Sequence, residues 1–291
     1  MTTTIARPAP VVSANAVQAV KYAARRTGIT VGSILVSGIL LCVLWQLAVT
    51  LFSPSPFLAK GPVDVFQYVT QSNITGSAEA HRALLAAKLG ETLSDAALGF
   101  VVGLALSISI AIAFAMFRVV EFMFMPLAML LRTVPLLAMA PVIYIVFGNG
   151  QITAALIGTV VVLFPVLVNL TVGLRSVSEQ AVDLIRVYGG NRFTVLVKAA
   201  IPTSLPFLFA SMRIAVPGAI TGAMLYEFLF TNDKGLGATV TSAKAAFDYP
   251  QIWAATVLAT VISIVLYTIT TIIESAVLAE WGPDAGKASS S

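Results

Sequence analysis

Long apolar runs separated by short polar interruptions dominate the chain. Residues 28–52 hold 25 positions without a charge, enough to cross a hydrocarbon core of about 30 Å at about 1.5 Å per residue. A signal-peptide core would be about 7–15 residues with a small-residue cleavage site, so this run reads as an uncleaved first helix. Five further spans are predicted at about Ala96–Phe117, Phe122–Phe147, Ile152–Leu174, Phe207–Phe230 and Ile252–Ile273. Pro126, Pro135 and Pro141 interrupt the third, Pro165 lies in the fourth, and Pro217, Gly218 and Gly222 lie in the fifth. Residues 53–88, with SPSPF and a Gly61-Pro62 turn, read as an external loop with short surface helices near Val63–Val69 and Ala78–Leu89. Asn73-Ile74-Thr75 matches a glycosylation acceptor, a pattern common by chance. Residues 1–27 are read as a mobile cytoplasmic tail, 28–281 as the transmembrane domain and 282–291 as a C-terminal tail.

The one long polar interruption in the second half is SVSEQAVDLIRVYGGNRFTVLVKAAIPTSLP, residues 176–206. Ser176 and Glu179 have capping-box spacing, which predicts a helix from Val177. Val177, Ala181, Leu184 and Tyr188 share its apolar face, opposite Glu179, Gln180, Asp183 and Arg186. Gly189 and Gly190 suit a helix end that needs a left-handed residue. Asn191 is the candidate cap of the next helix, which Pro202 and Pro206 are expected to end. A helix of about a dozen residues is marginal in water and needs something to pack against. A partner protein or the membrane surface itself would serve.

Hydrophobic residues make up 58% and charged residues 10% of the chain, against roughly 45–50% and 25% in soluble domains. With mean hydropathy at +0.94, so much apolar surface exceeds what one globule hides, and the chain is an integral membrane protein. Its net charge of +4 comes from dispersed basic residues, which argues against nucleic acid. Cys42 is the only cysteine and His81 the only histidine, which excludes an internal disulfide and clusters of several such ligands. Cys42 is expected to pack within the membrane, and His81 to lie at a surface or interface.

Lys and Arg set the orientation. With the N-terminus inside and six spans, Arg7, Lys21, Arg25, Arg26, Arg118, Arg175, Arg186, Arg192, Lys198, Arg213 and Lys287 fall in the cytoplasm. Lys60, Arg82, Lys88, Lys234 and Lys244 fall outside, and Arg132 lies in the membrane. Eleven against five favours N-in, C-in, with the polar interruption in the cytoplasm.

Three motifs in order add a family resemblance. GGNRFTVLVKAAIPTSLP, with Gly189, then Pro202 thirteen positions on, then Pro206, resembles the EAA loop of binding-protein-dependent ABC importer permeases. GAMLYEFLFTNDKGLG and PLAMLLRTVPLLAMAPVIYIVFGNG resemble the corresponding segments of the sulfonate, taurine and nitrate permease branch. The likeness spans most of residues 30–281. Where the family has Glu-Ala-Ala, this chain has Asp183-Leu184-Ile185.

The resemblance implies a type I ABC importer permease fold in a bacterial inner membrane. The implied partners are a cytoplasmic ABC ATPase dimer, a second permease copy or paralogue, and an external solute-binding protein. Loop 175–206 then becomes the ATPase-coupling element, with Glu179, Asp183, Leu184, Ile185, Arg186, Tyr188, Gly189 and Pro202 as candidates. The implied cargo is an organic or inorganic anion such as a sulfonate, taurine or nitrate. Thiamine-precursor pyrimidines, riboflavin or another small nutrient are the alternatives.

No bond-making machinery is legible. The closest approach to a phosphate loop, Gly282 to Ala288, has the wrong spacing and lacks the hydroxyl residue. The chain is therefore read as no enzyme and without cofactors of its own, with ATP and magnesium on the partner ATPase. Arg132, placed near mid-membrane, costs about 2.5–3.5 kcal/mol on insertion scales and should face a wet cavity or a partner group. It is read either as attracting an anion in the translocation path or as a structural arginine bonded to carbonyls freed by Pro135 and Pro141. Glu227 is a candidate for lining the path, latching an outer gate or pairing with Lys234. Gly235-Leu236-Gly237 reads as a turn or, by resemblance, a partial re-entry. Tyr144, Asn169 and Thr171 are candidate pore-lining groups, although single polar residues in spans more often bond across helices. An ATPase-independent transporter or channel, and a membrane-embedded enzyme, are the rivals from other classes. The second would need clustered acids, and the spans hold only Glu227 and Glu274 near their ends.

Overall fold

A computed structural model describes residues 36–52, 55, 57–73 and 75–279, with the side chains of residues 131, 132 and 279 outside that set. Both tails, the start of the first span, Ile74 and the Arg132 side chain therefore lie outside the described residues. The chain divides into a first unit, residues 1–64, and a second, residues 65–291.

The first unit carries α1, Val36–Phe52, whose aliphatic side chains are largely exposed. Cys42 is exposed on it. Gly61 then donates its N–H to Asp64 Oδ2 at 2.7 Å, at the start of α2 (Pro62–Thr70).

The named elements among the second unit's described residues are all helices. It holds α3 (Ala78–Met116), α4 (Arg118–Thr133), α5 (Leu136–Phe147), α6 (Gln151–Arg175), α7 (Glu179–Val187) and α8 (Arg192–Val195). A π-helical turn, Leu196–Ala200, leads into α9 (Ile201–Phe230), followed by α10 (Gly235–Ala245) and α11 (Tyr249–Ala279). Among the described residues four helices are long and apolar enough to cross a membrane: α3, α6, the continuous Arg192–Phe230 rod, and α11. Val36–Phe52 and Leu136–Phe147 are shorter apolar helices.

Several expectations are corrected. Ala78–Leu89 is no separate surface helix; Ser77 caps it by accepting from the Ala80 N–H, and it runs unbroken into the second span. The helical ladder continues because nothing between Ala78 and Met116 removes a donor or forces a turn. The third span is two helices, parted at Pro135, which sits extended at φ −61, ψ 119 as the cap of α5. A proline biases the residue before it away from helix, so the break falls there, while Pro126 and Pro141 are absorbed inside α4 and α5. His81 is buried, stacked on Tyr68 at 4.1 Å, with Nδ1 donating to the Tyr68 carbonyl at 2.9 Å. Burial, reinforced by Asp248, pushes the Tyr68 phenol well above its usual range, so the ring enters this stack neutral.

The core forms where α3, α6 and α9 cross. Lipid tails are as apolar as leucine, so helices in a membrane gain most from close backbone approach at small residues. Gly158 of α6 supplies that approach on both sides. A Cβ on Gly99 of α3, or on Gly222 of α9, would stand 2.9 Å from its Cα. Thr159 Oγ1 donates to the Gly99 carbonyl at 3.3 Å, and Ser107 Oγ to the Leu163 carbonyl at 3.1 Å. Ala96, Val162, Val166, Ala215, Ala219 and Ala223 fill the surrounding layer. Farther along, Arg213 of α9 pairs with Glu274 of α11, Nε to Oε2 at 3.1 Å. Arg213 is thus tied to α11 as the thirteenth of the thirty residues of α9.

Gly99→Ala should lower stability by about 1–3 kcal/mol through overpacking. Gly90→Ala, on the same helix with open space around it, should leave it unchanged or raise it by up to about 1 kcal/mol. Thermal unfolding of the two detergent-solubilised variants checks the contrast.

Candidate functional site

Loop 175–206 begins where α6 ends. Ser178, not Ser176, caps α7: its Oγ accepts from the Ala181 N–H at 3.3 Å, while Ser176 Oγ donates back to the Gly173 carbonyl. The cap slips by two residues because Ser176 is still close enough to the last turn of α6 to bond it. No residue of α7 is buried. Leu184 is 59% exposed, and Val187 and Tyr188 are each 84% exposed. Asp183 and Arg186, one turn apart, stand 3.7 Å from each other, both largely exposed. Ile185 is half-buried against Gly190, where an added Cβ would overlap its side chain. Gly189, at φ 80, makes the left-handed turn. Asn191 caps α8 in a reciprocal box with Thr194.

The prolines do not end this helix. Pro202 is the second residue of α9 and Pro206 lies inside it. A proline in a helix removes one donor and crowds the carbonyl four residues earlier, which for Pro202 is Lys198. Lys198 lies in the π-helical turn Leu196–Ala200, where the wider ring relieves that clash. The loop is therefore joined rigidly to the fifth span.

At the opposite end of the same helices lies a buried polar knot. α10 begins with three successive N–H groups, and each is taken by a side chain from another helix. Gly235 donates to Glu91 Oε2 at 2.7 Å, Leu236 to Thr92 Oγ1 at 2.9 Å, and Gly237 to Glu227 Oε2 at 2.9 Å. The Thr92 hydroxyl in turn donates a hydrogen bond to Glu227 Oε2 at 2.9 Å. Unpaired first-turn N–H groups and the positive helix end together favour carboxylates at this place. Lys234 Nζ reaches Asp95 at 2.7 Å, so the expected Lys234–Glu227 pair is replaced by Lys234–Asp95. Lys88 bonds the Asp233 carbonyl and pairs with Glu91 at 3.0 Å. Glu227 is 0% exposed. Gly235, at φ 80, has no room for a Cβ, which would overlap the Glu227 carboxylate. Gly235-Leu236-Gly237 is thus the buried start of α10 rather than a plain turn.

Beside the knot, the Tyr226 hydroxyl donates to Asn149 Oδ1 at 2.6 Å and accepts from the Gly150 N–H at 3.0 Å, tying the α5–α6 turn to α9. Tyr144 stacks on Phe230 at 4.4 Å. Thr171 is buried and donates to the Leu167 carbonyl of its own helix, and Asn169 is half-buried. Arg132 is the next-to-last residue of α4, beside the break at Pro135. The structure brings Glu227 together with Glu91, Thr92 and Asp95, which sequence reading missed. Their only signal is ETLSD: three polar residues at i, i+1 and i+4, on one helical face at the edge of an apolar run.

A bundle of long apolar helices with an exposed amphipathic loop at one end and a sealed polar knot at the other has a counterpart among known proteins. Residues 82–279 match the family of binding-protein-dependent transport system inner membrane components. The chain belongs to this family. It is the membrane-spanning permease of an ABC importer, a multi-pass inner-membrane protein. This permease is 30% identical to the riboflavin transport system permease protein of Chloroflexus aurantiacus over 83% of its own length and 87% of the relative's. It is 26% identical to the formylaminopyrimidine transport permease protein of Halalkalibacterium halodurans, covering 74% and 82% of the two chains. With the nitrate import permease protein of Leptolyngbya laminosa the identity is 26%, covering 54% and 56%.

Thr92→Val keeps the shape of the side chain but strips the Leu236 N–H and Glu227 Oε2 of a partner. Glu227 Oε2 keeps the Gly237 N–H, but the Leu236 N–H is left unmatched at a cost of about 1–3 kcal/mol, so the permease should melt earlier, and Thr92→Ser should restore most of the loss. Thermal unfolding of the three proteins tests this.

Proposed function

We propose that this permease carries a small solute inward through a pair of such subunits, driven by ATPases that grip loop 175–206 from the cytoplasm. Both termini are cytoplasmic in this reading, residues 28–281 form the translocating domain, and an external binding protein delivers the solute. ATP and magnesium act on the partner ATPase, and this chain supplies no catalytic group.

The observation that carries the proposal is the exposure of Leu184, Val187 and Tyr188 on a nine-residue helix with no buried residue. Such a helix is marginal alone and is stabilised by a groove that covers its apolar side. Asp183 and Arg186 would set the register there. Glu179 and Ile185 flank the contact, Gly189 turns the loop, and Pro202 joins it to α9. ATP, by binding the closed ATPase pair more tightly, biases the equilibrium between inward- and outward-open bundles. The polar knot around Glu227 serves in this scheme as the fixed corner against which α9 and α10 move together.

For the cargo, the length of chain shared with the riboflavin and formylaminopyrimidine permeases supports a small organic nutrient of that kind. A second reading, an anion such as nitrate, a sulfonate or taurine, is supported by Arg132 within α4 and by the shorter likeness to the nitrate permease. In that case Arg132, Tyr144 and Asn169 are the residues to place along the path.

Leu184→Asp combined with Tyr188→Asp should cut ATP-driven uptake at least tenfold while leaving membrane insertion and melting temperature unchanged, because both side chains are exposed. Uptake into vesicles holding permease, ATPase and binding protein measures this. Undiminished uptake, or labelling of a cysteine placed at Tyr188 from outside intact cells, would rule the coupling role out.

A further inference from the structure

The ends of α6, α7 and α8 and the start of α4 enclose a cavity of about 380 Å³. Arg118, Arg175, Arg186 and Arg192 all line it. Two of these charges are answered: Arg175 pairs with Glu121, and Arg186 with Asp183. Arg118 and Arg192 pair with no carboxylate among the described residues. Four guanidinium groups against two carboxylates leave a local charge of +2. The floor is apolar, made by Phe114, Leu174 and Leu196.

Phe114 also walls a second cleft of about 530 Å³ between α3, α4 and α6, lined solely by apolar side chains including Phe124, Ala128, Leu163 and Phe164. Arg118 and Arg175 also line a third hollow beside Phe122 and Met125. A basic chamber and an oily cleft thus adjoin at Phe114. Here α4 buries Glu121 but leaves Phe122, Met123 and Leu130 exposed.

Basic pockets between spanning helices hold anionic headgroups, each arginine contributing about 1 kcal/mol. A ligand that reaches both hollows must carry negative charge at one end and hydrocarbon at the other. We infer that an anionic phospholipid occupies this site. Its phosphate meets Arg118 and Arg192, and one acyl chain lies in the cleft between α4 and α6. The charge complements the unanswered +2, and the hydrocarbon fills space that no side chain of the described residues takes. In the orientation proposed above the lipid comes from the cytoplasmic leaflet. The site itself does not depend on that orientation, or on the ATPase.

The test is native mass spectrometry of the full-length, delipidated permease in detergent, titrated with phosphatidylglycerol or with phosphatidylethanolamine of the same chains. Wild type should retain phosphatidylglycerol at least tenfold more strongly. Arg118→Gln and Arg192→Gln should each weaken that retention about fivefold, and Arg118→Lys should keep it. Ala128→Trp, which fills the cleft and leaves all four arginines, should weaken retention of both lipids. Glycerol 1-phosphate, the headgroup chemistry without chains, should not displace the lipid at equal concentration. Equal retention of both lipids, retention indifferent to the arginine and cleft variants, or displacement by glycerol phosphate alone would overturn the lipid assignment. So would loss of the bound lipid on adding the ATPase or on forming permease dimers, which would give the chamber to a protein. If the glutamine variants misfold, Ala128→Trp and the wild-type competition still decide. Because retention is read without transport, this result and that of the coupling test are independent.

Discussion

Backbone contact at Gly158 is the constraint on which the rest of this bundle depends. In a lipid environment there is little hydrophobic gain from bringing one apolar helix against another, so the helices must meet closely enough for dispersion and a few hydroxyl bonds to hold them. Gly99, Gly158 and Gly222 let α3, α6 and α9 meet at a single level. The polar features of functional interest adjoin those three helices: the exposed loop joins α6 to α9, the knot ties α3 and α9 to α10, and Arg175 of the arginine chamber ends α6.

The two ends of the bundle solve opposite problems. At the knot, α10 buries its first turn, and its free N–H groups would be costly in a water-poor setting. Glu91, Thr92 and Glu227 satisfy them, while Lys234 neutralises Asp95. Such a network is stiff because each member leaves another unsatisfied if it moves. At the loop, the internal bonds are local caps and one exposed ion pair. α7 exposes apolar and charged groups together, and only its Ser178 cap and the Gly189 turn define it. In the proposed importer the loose end receives the push, and the π-helical joint at Leu196–Ala200 passes it without a hinge into the helix that carries Glu227. The lipid inferred at the arginine chamber sits beside that joint, where it would brace α4 against α6.

How far the sequence could be read depended on the range of the interactions involved. Runs without charge located the fourth span to within a residue at each end, because a membrane-length apolar segment has no alternative environment. The Gly189 turn and the Asn191 cap were equally legible, since each is decided by the residue and its immediate neighbours. Local rules failed where two of them competed. Ser176 and Ser178 both suited a cap, and the bond from Ser176 back to Gly173 settled which one serves. Pro202 and Pro206 signalled an end, yet the π turn let the helix continue.

By itself, then, the sequence determined that this is a helical membrane protein of the ABC permease kind, where its main spans run, and that a polar amphipathic loop interrupts them. The permease kind follows from the resemblance of three ordered motifs, and the spans and the loop from composition, hydrophobic length and neighbouring residues. Only the tertiary structure decided that Glu227 bonds Thr92 and Gly237 rather than Lys234, that His81 is buried, and that four arginines share one chamber. Thr92 and Glu227 are 135 positions apart, and no local pattern encodes which polar group will stand opposite another. That choice belongs to the crossing of the helices, and the crossing is made where glycines allow backbones to touch.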